Sequence, residues 1–189
     1  KKMLWVASST HQGEEIFCSK VHMRLKKRFK NLITIIIPRH VHRVKNLIPE
    51  IKDFHLKVAT HSSKPRNLKN IDIYIVDTFG ETEKFYKLAS SVFLGGSVIK
   101  RGGQNPLEAA RFGAKILHGP NINNFEDIYK LLRKIKVSKK IKTVKELSSS
   151  IIFEKNMHIG KKIKNIGEII LKKTIKELDT LINNEFKKT

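Results

Sequence analysis

Through the first two thirds of the chain, short apolar blocks alternate with longer stretches in which apolar residues recur every three or four positions. The blocks at residues 3–7, 32–37, 56–59, 73–76, 92–94 and 115–117 have the length of strands and are bounded by polar, glycine or proline residues. Ile33-Thr34-Ile35-Ile36-Ile37 is nearly continuous, as expected of a strand covered on both faces. The longer stretches predict helices over 14–29, 42–54 (interrupted by Pro49), 82–89, 106–112 and 124–135. This alternation predicts an α/β fold with a six-stranded parallel sheet flanked by helices. Ligands of such sheets bind beyond the C-terminal ends of the strands, so the loops after the strands are the places to search.

From Ser138 onward glycine and aromatic residues thin out and lysine rises. Ile163, Ile166, Ile170, Leu171, Ile175, Leu178 and Ile182 follow spacings of three and four, which predicts a long C-terminal amphipathic helix. The chain divides on this reading into a sheet domain, 1–137, and a lysine-rich helical extension, 138–189, packing on or near it. Membrane-surface binding through the lysines of that helix is the other reading of the same pattern.

Length and composition narrow the class. The 189 residues suffice for one core, or a core with a small appendage, and 40% hydrophobic with 30% charged residues is a globular balance. No apolar run approaches the roughly 20 residues of a membrane span. The opening Lys1-Lys2-Met3-Leu4-Trp5-Val6-Ala7 is too short in its apolar part for a signal peptide and reads as a chain cut just before its first strand. The single Cys18 forms no internal disulfide and fits a reducing compartment. A net charge of +22 attracts polyanions such as nucleic acid, anionic headgroups or phosphorylated substrates. Lysine, isoleucine and asparagine are all abundant, as in AT-rich genomes, so the charge alone assigns no partner.

Four loops carry candidate chemistry. Ser8-Ser9-Thr10-His11-Gln12-Gly13-Glu14-Glu15 follows the first strand, and its hydroxyls and glycine before a helix can hold a phosphate or carboxylate. Helix capping, with Glu14 and Glu15 complementing the dipole, explains the same residues. Pro38-Arg39-His40 follows the second strand, where Arg39 is suited to bidentate phosphate binding. His40 and His42 read as exposed loop histidines, since no spacing supports a metal site. Asp77-Thr78-Phe79-Gly80-Glu81 follows the fourth strand. Thr78 and Glu81 have the spacing of a capping box, while Glu81 can also accept hydrogen bonds from a sugar or base. Gly95-Gly96-Ser97, then Gly102-Gly103-Gln104-Asn105-Pro106-Leu107-Glu108, follows the fifth strand. Asn105, Pro106 and Glu108 start a helix well, but capping does not require the glycines, which let a ligand approach the backbone. Glu108 can accept two hydrogen bonds from a ribose diol.

Taken in order, Trp5 to Glu15, Pro38 to His40, Asp77 to Glu81, Phe85-Tyr86, Phe93 to Ser97, Gly102 to Ala110 and Gly119-Pro120 to Asn124-Phe125 resemble the C-terminal half of the 3-deoxy-D-manno-octulosonic acid (Kdo) transferases of lipopolysaccharide biosynthesis. The resemblance covers about residues 3 to 135. It implies the Rossmann-like C-terminal domain of a GT-B glycosyltransferase, which binds the donor CMP-Kdo. The N-terminal domain of such an enzyme binds the lipid A precursor and holds the catalytic carboxylate base. By the same resemblance Pro38, Arg39, Phe79, Gly80, Glu81, Asn105, Pro106, Leu107 and Glu108 contact CMP, and Ser9, Thr10 and Gly13 face the phosphate or the Kdo carboxylate. No metal and no cofactor is implied, since CMP-Kdo is a substrate. The implied location is the cytoplasmic face of the inner membrane, with an anionic surface as partner and no nucleic acid.

Two positions depart from the family pattern. Gln104 stands where histidine is usual and cannot carry its charge. Thr82 stands where leucine or methionine is frequent. The expected lack of an N-terminal domain, membrane anchor and acceptor-side glutamate implies that these residues alone bind CMP or CMP-Kdo weakly and transfer no sugar. Two other readings stay open: another GT-B nucleotide-sugar transferase or epimerase, and a basic nucleic-acid-binding domain. No helix-turn-helix, zinc-finger or RNA-binding aromatic motif supports the second.

Overall fold

A computed structural model describes residues 2–155, together with 158, 160, 161 and 163. Seven parallel strands form one sheet: β1 (Met3–Thr10), β2 (Leu32–Pro38), β3 (Val58–Thr60), β4 (Ile73–Ile75), β5 (Ser91–Leu94), β6 (Lys115–His118) and β7 (Ser138–Lys140), in the order β3-β4-β2-β1-β5-β6-β7. The helices are α1 (Glu14–Lys26), α2 (Val44–Lys52), α3 (Thr82–Leu88), α4 (Leu107–Ala110), α5 (Glu126–Lys134) and α6 (Val144–Ser150). This is the parallel, helix-flanked α/β architecture expected, with one strand more than the six read from the sequence.

The extra strand is Ser138-Lys139-Lys140, paired with β6 from Ile116 to His118. It continues the sheet past residue 137. Two of its three residues are exposed lysines, so no apolar block announces it. Lysine is common on sheet edges because its charge blocks pairing with a second chain.

Alternation along the central strands sends side chains into two cores. Trp5, Ala7 and Ile36 point to the layer of α1, α2 and α6, where Cys18, Leu47 and Leu147 meet them. Val6, Ile35 and Ile37 point the other way, against Phe85, Tyr86, Ala109 and Tyr129. All seven residues of β2 are buried. Its one polar side chain, Thr34, is satisfied by the His22 imidazole Nδ1 at 2.9 Å. Burial and nearby Lys26 and Lys2 push the pKa of His22 down to about 4.

Local departures have local causes. The helix expected over 42–54 opens with a tight turn, Val41–Arg43, and then runs as α2 through Pro49. That expected over 106–112 shortens to four residues. α6 starts on a capping box that the sequence reading passed over. The Thr143 hydroxyl accepts from the Glu146 amide at 3.1 Å, and the Glu146 carboxylate accepts from the Lys142 amide at 2.7 Å. Of the predicted tail helix, most positions lie outside the described residues. Ile163 is buried in the second core.

Candidate functional site

Because every strand is parallel, every strand-to-helix loop opens on one edge of the sheet. The chain leaves β1 toward β2 on one side and later returns to β5 on the other. The crevice of such a sheet lies at this reversal, between the loops after β1 and β5.

Those two loops are joined through a buried carboxylate. Glu14 Oε2 accepts from the backbone amides of His11 at 3.0 Å and Gly96 at 2.7 Å. Its Oε1 accepts from those of Ser97 at 3.1 Å and Val98 at 3.0 Å. Gly95-Gly96-Ser97-Val98 is thus an anion-binding nest, but its anion is the protein's own. Gly95 makes the approach possible: a Cβ there would lie 2.4 Å from the Ser9 carbonyl oxygen and 2.8 Å from Glu14 Oε2. Ser9 adopts φ 54 in a β-bulge against β2, and Gly13 adopts φ 90 at the start of α1. The loop after β6 is tied in as well. The Gly119 amide donates to Ser97 Oγ at 2.8 Å, and Asn121 Nδ2 donates to the carbonyls of Ser97 and Val98 at 3.2 and 3.1 Å.

Glu15 is also engaged. Its buried carboxylate receives both terminal nitrogens of Arg43, at 3.0 and 3.4 Å. Burial raises its pKa, and the Arg43 hydrogen bond opposes this without cancelling it. Glu14 and Glu15 therefore tie the loops together rather than only offsetting the helix dipole.

Beside this frame lies a cleft of about 450 Å³ lined by His11, Gln12, His40, Arg43, Ile99 and Arg101. The rings of His11 and His40 meet edge to face at 5.7 Å, and His42 follows at 5.7 Å from His40. His40 and His42 are exposed, as expected. Burial lowers the pKa of His11, with Glu14 opposing and His40, Arg101 and Arg43 assisting. The lining holds two arginines and no acid. From sequence His11 and Arg43 were noted only as members of the loops after β1 and β2, and Arg101 was not singled out; they follow the strand ends Thr10, Pro38 and Leu94 by one, five and seven residues.

The residues assigned to CMP by resemblance lie in loops at the same sheet edge and do not line this cleft. Arg39 is exposed just past β2, its backbone amide held by the Thr10 carbonyl at 2.9 Å, and it makes no ion pair among the described residues. Phe79 is 82% exposed. Gly80 has φ 79, and Glu81 pairs with Lys84 at 2.7 Å, which holds its carboxyl below the usual range. The capping box expected of Thr78 and Glu81 does not form: the Thr78 hydroxyl has no hydrogen-bond partner, and Glu81 caps α3 with no side-chain bond.

Across the edge, Asn105 Oδ1 accepts from the Leu107 amide at 3.0 Å, Pro106 is buried, and Glu108 is exposed. α3 and α4 lie side by side, joined by Glu83 and Arg111 at 3.6 Å, so Glu81 and Glu108 start neighbouring helices. The loops after β4 and β5 stand three strand spacings apart, about 14 Å. Of the other three, Ser9 is half-buried, Thr10 fully buried and Gly13 exposed. Gln104 offers its carbonyl to the Tyr129 hydroxyl at 3.0 Å. The neighbouring His118 donates from Nδ1 to the Gly119 carbonyl at 2.7 Å, stacks on Tyr129 at 4.4 Å and, through burial, has its pKa pushed down to about 4.

No family model matches the chain. Curated relatives do. A 3-deoxy-D-manno-octulosonic acid transferase of Rickettsia prowazekii is 36% identical over 167 residues, which cover 88% of this chain and 36% of that protein. The enzyme of Haemophilus influenzae is 31% identical over 129 residues, covering 68% and 30%. A probable mitochondrial counterpart in Arabidopsis thaliana is 32% identical over 132 residues, covering 69% and 30%. The crystal structure of the C-terminal CMP-Kdo binding domain of WaaA from Acinetobacter baumannii superposes with a TM-score of 0.74 at 22% identity, over 78% of this chain and 77% of that one. It has the same fold. These names favour the Kdo transferase reading over another GT-B enzyme. Over a span about a third of the length of the curated relatives it matches, the chain is a homologue of the 3-deoxy-D-manno-octulosonic acid transferases.

Proposed function

We propose that this chain is the donor-binding half of a glycosyltransferase that moves Kdo from CMP-Kdo to a lipid A precursor. The observation that supports the reading is that Arg39, Phe79 to Glu81 and Asn105 to Glu108 lie in loops at one sheet edge, the edge that also bears a cationic cleft at the reversal of strand order. In this arrangement Phe79 offers a ring face to cytosine and Glu108 accepts from the ribose diol. As the bond between the sugar's anomeric carbon and the phosphate breaks, charge grows on CMP. Arg39, with Arg101 beyond it, offsets that charge; electrostatic stabilisation of this kind is usually a large catalytic contribution. Ser9, Thr10 and Gly13 shape the floor under the phosphate and the Kdo carboxylate. No cofactor takes part.

The cleft lining contains no carboxylate, and Glu14 and Glu15 are both engaged, so the base that deprotonates the acceptor hydroxyl belongs to the acceptor-binding half. These 189 residues alone therefore bind CMP and transfer no sugar. Working on a phosphorylated lipid, the enzyme acts at the cytoplasmic face of the inner membrane, where the +22 charge favours anionic headgroups.

Calorimetry with CMP, UDP and CMP-Kdo tests the reading. Saturable binding of CMP and CMP-Kdo, with UDP weaker, is expected. A preference for UDP, or Kdo transfer by this chain alone, refutes it.

A further inference from the structure

A second, separate basic pocket lies at the other end of α1. It has a volume of about 250 Å³ and is lined by Arg24, Leu25, Lys27, Arg28, Ser148 and Ser149. α1 starts at the crevice and runs back along the sheet for 13 residues, so this pocket sits about 20 Å from the candidate donor site, at the edge where the strands begin.

Arg24 lies in the last turn of α1, and Lys27 and Arg28 follow in the turn that closes it, where the amides of Arg28 and Phe29 both bond to the Leu25 carbonyl, so three exposed cations cluster at this end. Like charges so placed repel, and no acid offsets them: none of the three makes an ion pair among the described residues. Three other cations do find acids: Lys26 pairs with Asp72, Arg43 with Glu15 and Arg111 with Glu83. The Arg28 guanidinium is held over the Phe29 ring at 5.3 Å, and Phe29 is itself braced by Phe153 at 5.0 Å. The second wall, α6, presents two hydroxyl oxygens that close the pocket without donating to an anion. Ser148 and Ser149 donate to the carbonyls of Lys145 and Glu146, which turns their protons away.

From this geometry we infer that the α1–α6 junction binds a phosphate group, held by Arg24 and Arg28 as planar donors with Lys27 as a third charge. The group can come from an anionic lipid headgroup or from a soluble phosphate compound. The site is independent of the donor crevice and does not rest on the function proposed above.

The test uses the full chain and two double variants of equal charge: R24Q/R28Q, and R133Q/K134Q on the exposed face of α5. Inorganic phosphate is titrated while the arginine Nε–H resonances are followed, and sedimentation is measured with phosphatidylcholine vesicles with and without phosphatidic acid. Saturable shifts of the Arg24 and Arg28 resonances, with that of exposed Arg133 unmoved, support the site. Vesicle binding that needs phosphatidic acid and falls about tenfold more in R24Q/R28Q than in R133Q/K134Q assigns it to a headgroup. Phosphate shifts without that difference assign it to a soluble compound. No saturable shift together with equal loss of vesicle binding in both variants overturns the proposal, because the attraction is then diffuse charge.

Discussion

The Glu14 carboxylate and the Gly96 amide, 82 positions apart in sequence, meet at 2.7 Å, the shortest of four backbone hydrogen bonds that Glu14 accepts. The glycine loop after β5 is shaped before any nucleotide arrives. An unsatisfied buried amide costs about 1–3 kcal/mol. Glu14→Ala frees two buried amides, Gly96 and Ser97, and two part-buried ones, His11 and Val98, and should lower stability by about 3–5 kcal/mol. Urea unfolding measures the loss, and amide hydrogen exchange should rise at Gly96, Ser97 and Val98. Unchanged protection at those three amides would contradict the role.

Gly95→Ala should be costly for a different reason. The added methyl meets backbone atoms of Ser9 and Thr10 at 2.4 and 2.6 Å, and backbone cannot swing aside as a side chain can. Overpacking of this kind costs about 1–3 kcal/mol. Thermal melting of the variant should show it, and CMP affinity should fall as the crevice widens. A wild-type melting temperature would mean that the loops approach less closely.

Arg39→Ala and Phe79→Ala should leave stability within about 0.5 kcal/mol, because both side chains are exposed and unpaired among the described residues. Binding should respond strongly. Losing a charge-assisted phosphate contact costs about 1.5–3 kcal/mol, and losing a stacked base about 1–3 kcal/mol, so CMP affinity should fall roughly tenfold or more in each. Calorimetry on the two variants decides. Undiminished affinity in both would move the nucleotide away from this edge.

Acid should destabilise the fold through two buried imidazoles. His22 and His118 ordinarily titrate near 6.5 but are held near 4 in the folded chain, chiefly by burial. Between these values the unfolded chain binds more protons, so stability falls as pH drops from about 6.5 toward 4. Each group contributes at most about 1.4 kcal/mol per pH unit. Urea midpoints across this window should show the slope, and His118→Asn should remove part of it. A slope identical in variant and parent would show that His118 is protonated as readily folded as unfolded.

Much of this was legible in sequence, for physical reasons that can be named. β2 was visible because every residue from Leu32 to Pro38 is buried, which leaves a continuous apolar block. The site edge was visible because glycines and punctuation after strands mark loops. β7 was hidden because an edge strand of serine and lysines carries no apolar signature. Among the described residues two segments share the Thr-x-x-Glu spacing, yet only Thr143 and Glu146 form a capping box. At Thr78 and Glu81, Gly80 turns to φ 79 and Lys84 draws the carboxylate away. The role of Glu14 was hidden by distance: its local position already had a sufficient explanation in the helix dipole, while three of its four partners lie beyond four intervening strands of sequence.

The place of β1 in the middle of the sheet has a consequence for the chain as it is made. Its first neighbour, β2, follows within 38 residues, but its second, β5, ends only at Leu94. Ribosomes add about 5–20 residues per second, so one side of β1 stays without its partner for roughly 4–17 s of synthesis. Val6 and Ala7, fully buried at the end, lie along that open side throughout. The strand from which the crevice is built is therefore the one longest exposed to wrong partners, and chaperone dependence of this protein should centre on the interval before Leu94 is available.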